Sequence, residues 1–502
     1  MTALLAQAEF SGPTIDWWSL TPLIILAGGG LLLMVVAALV PRGWPRGGYA
    51  AFTALVTVAA AVTLFFQWDR VDQDGARGLV GGSLVLDGFG VFLALVICAA
   101  VLLATLIADD YLRREGFDGC ELYALMLMAA TGGTIMAWSN DMVVLFLGLE
   151  TLSIALYVMA GSHLRRIESQ ESAMKYFVLG AFSSAFLLYG IALVYGATGT
   201  TNFTVMNAFL SANSLNDPGL LLAGFALLLV GLGFKVAAVP FHEWTPDVYQ
   251  GAPSPVTAFM ASAAKAAGFA GLLRVFVVTF GSYRVDWQPV LFALAILTLV
   301  VGSVLAVVQT NVKRMLAYSS ISHAGFILVG VQVATPRGTE AVLFYLLAYA
   351  VMVVGTFGVV TLVGRTGDRD HGLDAYHGLA REHPILAMAF TVLLLSQAGV
   401  PLTTGFVAKF GIIAAAADAE SYALAVVAML SAVVAAFLYL RIVFSMYFAD
   451  SATGDEHEPV RIPLGAGVAL VLTVAFTLVV GTVGASAVLD FAHDAVPALA
   501  AP

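Results

Sequence analysis

Charged residues are scarce in this sequence. Asp, Glu, Lys and Arg together make up 11% of its 502 residues, whereas an ordinary soluble domain has roughly 25%. Hydrophobic residues make up 60%, and a helix that crosses a bilayer takes about 20 residues. This composition excludes a soluble globular protein. It allows on the order of fourteen spans and predicts an all-α polytopic membrane protein.

Cysteine is almost absent as well. Cys98 lies in an apolar run and Cys120 in a loop, and no CxxC pair occurs, so the chain has no iron–sulfur, zinc or disulfide framework to build. The glycine-rich phosphate-binding motifs and the HExxH motif are also missing. We therefore expect no cofactor-binding residues and no metal site in this chain, and any redox chemistry must take place elsewhere.

Basic residues are too few and too scattered to bind nucleic acid. The net charge is −10, and phosphate binding needs a clustered basic face. Residues 1–19 carry Glu9 and Asp16 but no Lys or Arg, so they lack the basic region of a cleavable signal peptide. The lipid bilayer is the expected environment.

Windows of about 19 residues predict fourteen apolar spans. Asp141 is expected to start the fifth of them. The spans are residues 20–40, 49–66, 89–108, 121–138, 142–162, 173–195, 220–239, 256–280, 290–308, 316–333, 341–363, 384–417, 421–448 and 463–489.

The basic residues in the loops predict the orientation of the chain. Cytoplasmic loops carry an excess of Lys and Arg, and alternate loops here hold twelve against four. The larger set is therefore assigned to the cytoplasm, and both termini to the exterior. The longest charged loop, residues 365–381, is expected to be solvated. The twelve are Arg42, Arg46, Arg113, Arg114, Arg165, Arg166, Lys313, Arg314, Arg365, Arg369, Arg381 and Arg461, and the four are Arg70, Arg77, Arg284 and Arg337.

Two of the predicted spans are interrupted at a proline. Pro240 directly follows the seventh and Pro401 lies in the middle of the twelfth, and proline breaks a helix because it cannot donate the backbone hydrogen bond. Matched breaks suggest inverted repeats around a transport site. Five spans separate the two, which predicts repeats at residues 121–280 and 290–448, flanked by a three-helix segment at 1–120 and a last helix at 463–502. Close packing of glycine and proline is the alternative for an isolated break.

Four ionisable residues lie deep within the predicted spans: Glu150, Lys235, Lys265 and Lys409. Each costs about 2.5 to 3.5 kcal/mol at the centre of a span. A structural ion pair is the alternative reading, but one acid cannot neutralise three lysines. A buried lysine, unlike arginine, can lose its proton, and a nearby ionised Glu150 would favour the protonated lysine. These residues therefore predict a proton relay along the middle of the membrane.

Three further residues are secondary candidates. His323 is in a polar patch at the start of the tenth span and either takes part in proton transfer or is an interfacial histidine. Lys175 follows Glu171 by four residues, so an ion pair on one helix or snorkelling also explains it. His242 and Glu243 follow the first break and either connect the relay to the cytoplasm or cap a loop.

Two segments of the sequence resemble a known family. Residues 231–259, GLGFKVAAVPFHEWTPDVYQGAPSPVTAF, resemble the hallmark segment of the antiporter-like membrane subunits of respiratory complex I. The strings KYFVLGAFSS, which starts at Lys175, and TPDVY are similar to the subunit N branch of the bacterial enzymes. The mitochondrial enzyme has a counterpart of this subunit. The resemblance is strong over residues 121–448.

The resemblance implies a fold, a function and partners. It implies fourteen helices with two inverted five-helix repeats, in a bacterial cell-membrane complex that couples NADH oxidation by quinone to proton translocation. Glu150, Lys235, Lys265 and Lys409 match the charged residues of the fifth, seventh, eighth and twelfth helices. NADH, FMN, the iron–sulfur clusters and quinone would be bound by other subunits, and the partners would be other membrane-arm subunits.

Two alternatives remain open at this point. One is a subunit of a multi-component cation/proton antiporter, which shares the broken helices and the lysines, although the KYFVLGAFSS and TPDVY strings argue against it. The other is a structural membrane scaffold with no proton channel of its own.

Overall fold

The computed structural model describes residues 15–39, 47–117, 119–213, 215, 217–369, 371–450 and 460–496. The predictions for the stretch that holds Glu9, and for Arg42 and Arg46, lie outside the described residues.

The described part of the chain is almost entirely helical. Its first half contains α1 (Thr21–Leu39), α2 (Gly48–Asp74), α3 (Gly88–Glu115), α4 (Cys120–Trp138), α5 (Met142–Ala160), α6 (Ile167–Thr198), α7 (Phe203–Ala212), α8 (Gly219–Val236), α9 (Trp244–Gly251), α10 (Ser254–Phe259) and α11 (Lys265–Leu272). Its second half contains α12 (Arg284–Val307), α13 (Val312–Val333), α14 (Pro336–Val363), α15 (Leu379–Glu382), α16 (Pro384–Ala398), α17 (Thr404–Asp418), α18 (Tyr422–Phe448), α19 (Leu464–Thr482) and α20 (Ala485–Ala495).

The all-α polytopic fold is confirmed. Thirteen helices in the described ranges are long and apolar enough to cross a membrane, and the predicted span at 384–417 forms the two shorter helices α16 and α17, which together make a fourteenth. Asp141 caps α5, since its carboxylate accepts hydrogen bonds from the backbone N–H of Val143 and Val144. A short antiparallel hairpin of β1 (Arg77–Leu79) and β2 (Leu84–Leu86) was not predicted.

Successive loops lie at alternate ends of the bundle. At one end Glu115 lies 3.2 Å from His163 and accepts a hydrogen bond from Gly367 N, which joins the loops that follow α3, α5 and α14. We call this the arginine-rich end. At the opposite end Asn140 and Asn202 both donate to Gly82 O.

The ends of the described chain also lie at the opposite end of the bundle. Asp16 forms an ion pair with Arg70 near the end of α2, and His493 lies 3.0 Å from Glu340 near the start of α14. The described residues therefore contain an even number of spans.

Helices break at both predicted prolines. α8 ends four residues before Pro240, and Trp244 at the start of α9 donates to Phe234 O across the break. α16 ends three residues before Pro401, and Thr403 caps α17. π-helical turns at Met260–Ala264 and Leu273–Thr279 lie on either side of α11. The sequence did not predict this irregularity.

The last span is shorter than the predicted 463–489. α19 ends at Thr482, and the separate helix α20 packs its apolar side against the bundle, where the rings of Phe491 and Trp68 lie 4.1 Å apart. Its other side carries Asp490, His493 and Asp494, which are too polar to continue a membrane span.

Candidate functional site

Glu150 and Lys235 are held by serines around one face of α5. Glu150 accepts a hydrogen bond from Ser184 of α6. Lys235, which is 6% exposed at the end of α8, donates to Ser153 Oγ at 2.9 Å. Because residues three apart share a helix face, Glu150 and Ser153 bring the acid and the lysine together.

No direct ion pair links this acid to a lysine. Among the described residues, Glu150 has no basic nitrogen within 4.0 Å, although it interacts electrostatically with Lys235. A cavity of about 10 Å³ lies beside Lys235, lined by Ser153, Ser184 and Lys235, and this volume is close to the minimum for one water molecule. The described structure therefore does not show a direct ion pair between Glu150 and a lysine, which was the structural alternative to a relay.

Lys265 is the first residue of α11, directly after a π-helical turn. Its Nζ donates to the backbone O of Ser320 at 2.5 Å and to the Oγ of Ser320 at 2.6 Å, and lies 5.4 Å from the ring centre of Tyr349. One turn further on, the backbone of Gly268 lies against the Lys235 side chain, because a Cβ added there would be 3.3 Å from Lys235 Cγ. Lys235, at the end of α8, therefore packs against the helix that carries Lys265.

His323 lies inside the bundle. The prediction that it opens a span, and the alternative of an interfacial histidine, are both wrong, because α13 begins at Val312 and His323 is near its middle, 2% exposed. Its Nδ1 lies 2.7 Å from the hydroxyl of Tyr345, and its Nε2 lies 3.1 Å from that of Tyr439. The Tyr439 hydroxyl is also 2.6 Å from Ser319 Oγ.

Lys409 lies at the second helix break. Its Nζ donates to Ala398 O at 3.1 Å, which is one of the carbonyls that the end of α16 leaves without a helical partner. It also lies 4.9 Å from the ring centre of Phe326 and interacts electrostatically with His323. The break therefore creates the hydrogen-bond acceptor that holds this buried lysine.

Polar side chains lie in a row across the bundle, although not every neighbouring pair is hydrogen-bonded. Hydrogen bonds join Ser184 to Glu150, Ser153 to Lys235, Lys265 to Ser320, and Tyr439 to both Ser319 and His323, and Lys409 donates to Ala398 O. Hydroxyl groups can both donate and accept hydrogen bonds, which suits these serines and tyrosines to positions between titratable groups. Sequence reasoning missed the serines and tyrosines, because hydroxyl residues are common in apolar helices and only their contacts distinguish these.

Lys175 and His242 are not part of this row. Lys175 forms ion pairs with Glu171 and Asp247, each at 2.7 Å, and its side chain is 42% exposed. It lines a polar cavity of about 580 Å³ at the arginine-rich end, together with Arg166 and His371. His242 is buried beside the first break and lies 3.3 Å from Pro240 O.

Part of the loop after α14 is buried, whereas the sequence predicted that the whole loop is solvated. Asp368 is fully buried and accepts hydrogen bonds from Arg166 at 3.0 Å, Ser254 Oγ at 2.7 Å and Lys313 at 3.4 Å, while His371 Nε2 lies 2.9 Å away. Lys313 is also fully buried, so it does more than orient the chain. The polar loop enters the bundle because it meets buried groups of opposite charge.

Charge also sets the ionisation of this carboxylate. Burial alone would raise the pKa of Asp368, but the charge of Lys313, the contact with His371 and the charge of Arg166 hold that pKa well below its usual range. Asp368 therefore stays ionised at neutral pH and ties together segments from both halves of the chain.

Burial lowers the pKa of His371, although Asp368 opposes the effect. Between pH 7.5 and 5.5 the unfolded state, with a histidine pKa of about 6.5, therefore takes up a proton that the folded state does not. We expect the stability of the protein to fall as the pH drops through this range. Over the same drop in pH, the His371→Gln variant is expected to lose less stability than the unaltered protein. Melting temperatures at the two pH values test this, and equal losses would contradict it.

Two more buried polar pairs lie outside this row. Arg274 donates to both carboxylate oxygens of Asp87, at 2.6 and 2.8 Å, and Asp87 also caps α3. Glu115 and His163 join two loops at the arginine-rich end. Each pair connects residues far apart in the sequence, and for this reason neither was predicted.

Comparison with known proteins agrees with this architecture. The family described as NADH:quinone oxidoreductase/Mrp antiporter, TM matches residues 139–435. NADH-quinone oxidoreductase subunit N of Trichlorobacter lovleyi is 41% identical over 96% of this chain and 97% of its own length. Subunit N of Mycobacterium tuberculosis (strain ATCC 25618 / H37Rv) is 39% identical over 96% of this chain and 98% of its own.

Solved structures have the same fold. A chain of respiratory complex I from Thermus thermophilus matches with a TM-score of 0.78 and 33% identity, over 95% of this chain and 99% of that one. A chain of the Mrp complex from Dietzia sp. DQ12-45-1b matches with a TM-score of 0.83 over 97% and 98% of the two chains, but at 22% identity it shows the fold alone. The chain belongs to the subunit N family of NADH-quinone oxidoreductases.

Proposed function

We propose that this chain translocates protons within the membrane arm of NADH-quinone oxidoreductase, through a relay that contains Glu150, Lys235, Lys265 and Lys409. The observation that carries the proposal is the row of buried titratable and hydroxyl groups that crosses the bundle between the two helix breaks. NADH, FMN, the iron–sulfur clusters and quinone are bound by other subunits, and this chain supplies proton transfer.

Ionisation of Glu150 controls the first step of the proposed mechanism. While Glu150 is ionised and close to Lys235, the protonated lysine is favoured, and movement of α5 away from α8 would favour release of its proton. The proton then passes toward Lys265 and, through the hydroxyls of Ser320 and Tyr439, toward His323 and Lys409. Lysine suits this role because, unlike arginine, it can be neutral when buried.

The two halves form inverted repeats in this proposal, residues 121–280 and 290–448. Each has one broken helix with a lysine beside the break, Lys235 before Pro240 and Lys409 after Pro401. Successive loops alternate between the two ends of the bundle, so a five-span unit repeated once is turned over in the membrane. The arginine-rich end faces the cytoplasm of a bacterial cell, and the termini face outward.

Copurification with partners tests the assignment to the complex. A tagged chain extracted in mild detergent is expected to bring down peripheral subunits that contain flavin and iron–sulfur clusters, with NADH-quinone reductase activity. Optical and electron paramagnetic resonance spectra of the eluate measure this. A complex of membrane subunits that lacks these cofactors, and that exchanges Na⁺ for protons in vesicles, would instead support the antiporter.

A further inference from the structure

We propose that a pocket at the arginine-rich end binds the phosphate headgroup of an anionic phospholipid. The pocket has a volume of about 310 Å³ and lies between the end of α3, the end of α14 and the start of α19. Four arginines line it, together with one acid, and we call it the arginine pocket. Its charged residues are Arg113, Arg114, Arg365, Arg461 and Asp110.

The positive charge of this pocket is only partly neutralised by the protein. Arg113 pairs with Asp109, and Arg114 donates to Thr361 O at 3.1 Å and lies 3.5 Å from Glu115. The Nε atoms of Arg114 and Arg365 are both buried with no hydrogen-bond partner among the described residues. A buried donor without a partner is unfavourable.

Phosphate supplies the acceptors that such a site needs. Guanidinium groups bind phosphate oxygens in pairs of parallel hydrogen bonds. The pocket also lies at the level where three helices reach the edge of the apolar bundle, and basic pockets between helices at this level bind lipid headgroups.

The surface next to the pocket favours a lipid over a soluble phosphate. α19 begins three residues after Arg461 and carries Leu464, Val468 and Val471, which are 84%, 40% and 68% exposed. Residues spaced by three and four lie on one face of a helix, so these form an exposed apolar strip that starts at the pocket. A phospholipid with its headgroup among the arginines would lay its acyl chains along this strip, whereas a free phosphate would leave it bare.

Lipid binding to the intact complex tests the proposal. The complex is purified with wild-type chain or with the double substitution Arg365→Gln and Arg461→Gln, stripped of loosely held lipid, and titrated with spin-labelled phosphatidylglycerol or phosphatidylcholine in detergent. We expect wild type to prefer phosphatidylglycerol. We expect the double variant to lose about twenty-five-fold in affinity for it, at about fivefold for each arginine, with little change for phosphatidylcholine.

A matched control removes two arginines from the same end but outside the pocket. Arg369 and Arg381 are exposed, and their replacement by Gln is expected to leave the affinity for phosphatidylglycerol unchanged. An equal loss in this control, or no loss in the pocket variant, would overturn the proposal. If inorganic phosphate at millimolar concentration displaces the lipid completely, the site is one for a soluble anion and the proposal also fails.

Assembly of the variants is checked by their NADH-quinone reductase activity. The pocket has no part in the proposed relay, so substitutions in the pocket are expected to leave this activity unchanged. Arg461 is exposed at the mouth of the pocket, so Arg461→Gln alone tests the proposal if the double variant does not assemble. In that case a loss of about fivefold supports lipid binding, and unchanged affinity contradicts it.

Discussion

Replacement of Lys265 by methionine is expected to abolish proton translocation by this chain. Methionine keeps an unbranched apolar side chain of similar length but has no proton to exchange. The substitution removes the hydrogen bonds to Ser320 and so separates the first half of the proposed relay from the second. We expect the proton flux to fall at least tenfold. The measurement is NADH-driven acidification of inside-out membrane vesicles, normalised to their rate of NADH oxidation.

Two further substitutions separate charge from proton exchange. Lys265→Arg keeps the positive charge but cannot release its proton, so translocation is expected to be lost here too. Arg337→Met also removes one positive charge, from an exposed ion pair with Asp418, and should translocate normally. Lys235→Ala is expected to behave as Lys265→Met does. Full translocation by an assembled Lys265→Met or Lys235→Ala complex would rule out the relay.

Replacement of Asp368 by alanine is expected to destabilise the protein by about 3 to 5 kcal/mol. The carboxylate is fully buried, and its removal leaves the charges of Arg166 and Lys313 in the interior without their partner. Lower yield of assembled complex and a lower melting temperature in detergent would measure the loss.

An exposed ion pair provides the control for this substitution. Asp450 pairs with Arg381 at 2.8 Å, but its side chain is 81% exposed, and exposed pairs contribute about 0 to 1 kcal/mol. Asp450→Ala should therefore leave the melting temperature nearly unchanged. If Asp368→Ala and Asp450→Ala melt at the same temperature, the buried cluster does not stabilise the fold as described.

Burial of charge explains why some of the candidate site could be found in the sequence. Glu150, Lys235, Lys265 and Lys409 stand out because each lies in an apolar run, and the free energy of placing a charge there is high wherever the helix packs. The breaks at Pro240 and in the twelfth span were predictable for a similar reason, because proline disrupts its own helix.

Contacts between distant residues explain what the sequence missed. His323 was placed at the start of its span, with proton transfer and an interfacial position as open alternatives, but Tyr439, 116 residues later in the chain, meets it in the interior. The loop around Asp368 has a polar composition typical of exposed loops, yet Arg166, 202 residues away, makes its burial favourable. Neither partner can be identified from spacing along the chain.

The sequence by itself determined that the chain spans the membrane, roughly where each span lies, and that Glu150, Lys235, Lys265 and Lys409 lie within the spans. These properties follow from transfer free energies, which belong to each residue and its immediate neighbours. Only the tertiary structure decided which buried charges meet hydroxyl groups in a row across the bundle, and which meet opposite charges in the Asp368 cluster. Hydrogen bonds and ion pairs depend on distances of a few ångströms, and the packing of helices far apart in the sequence sets those distances.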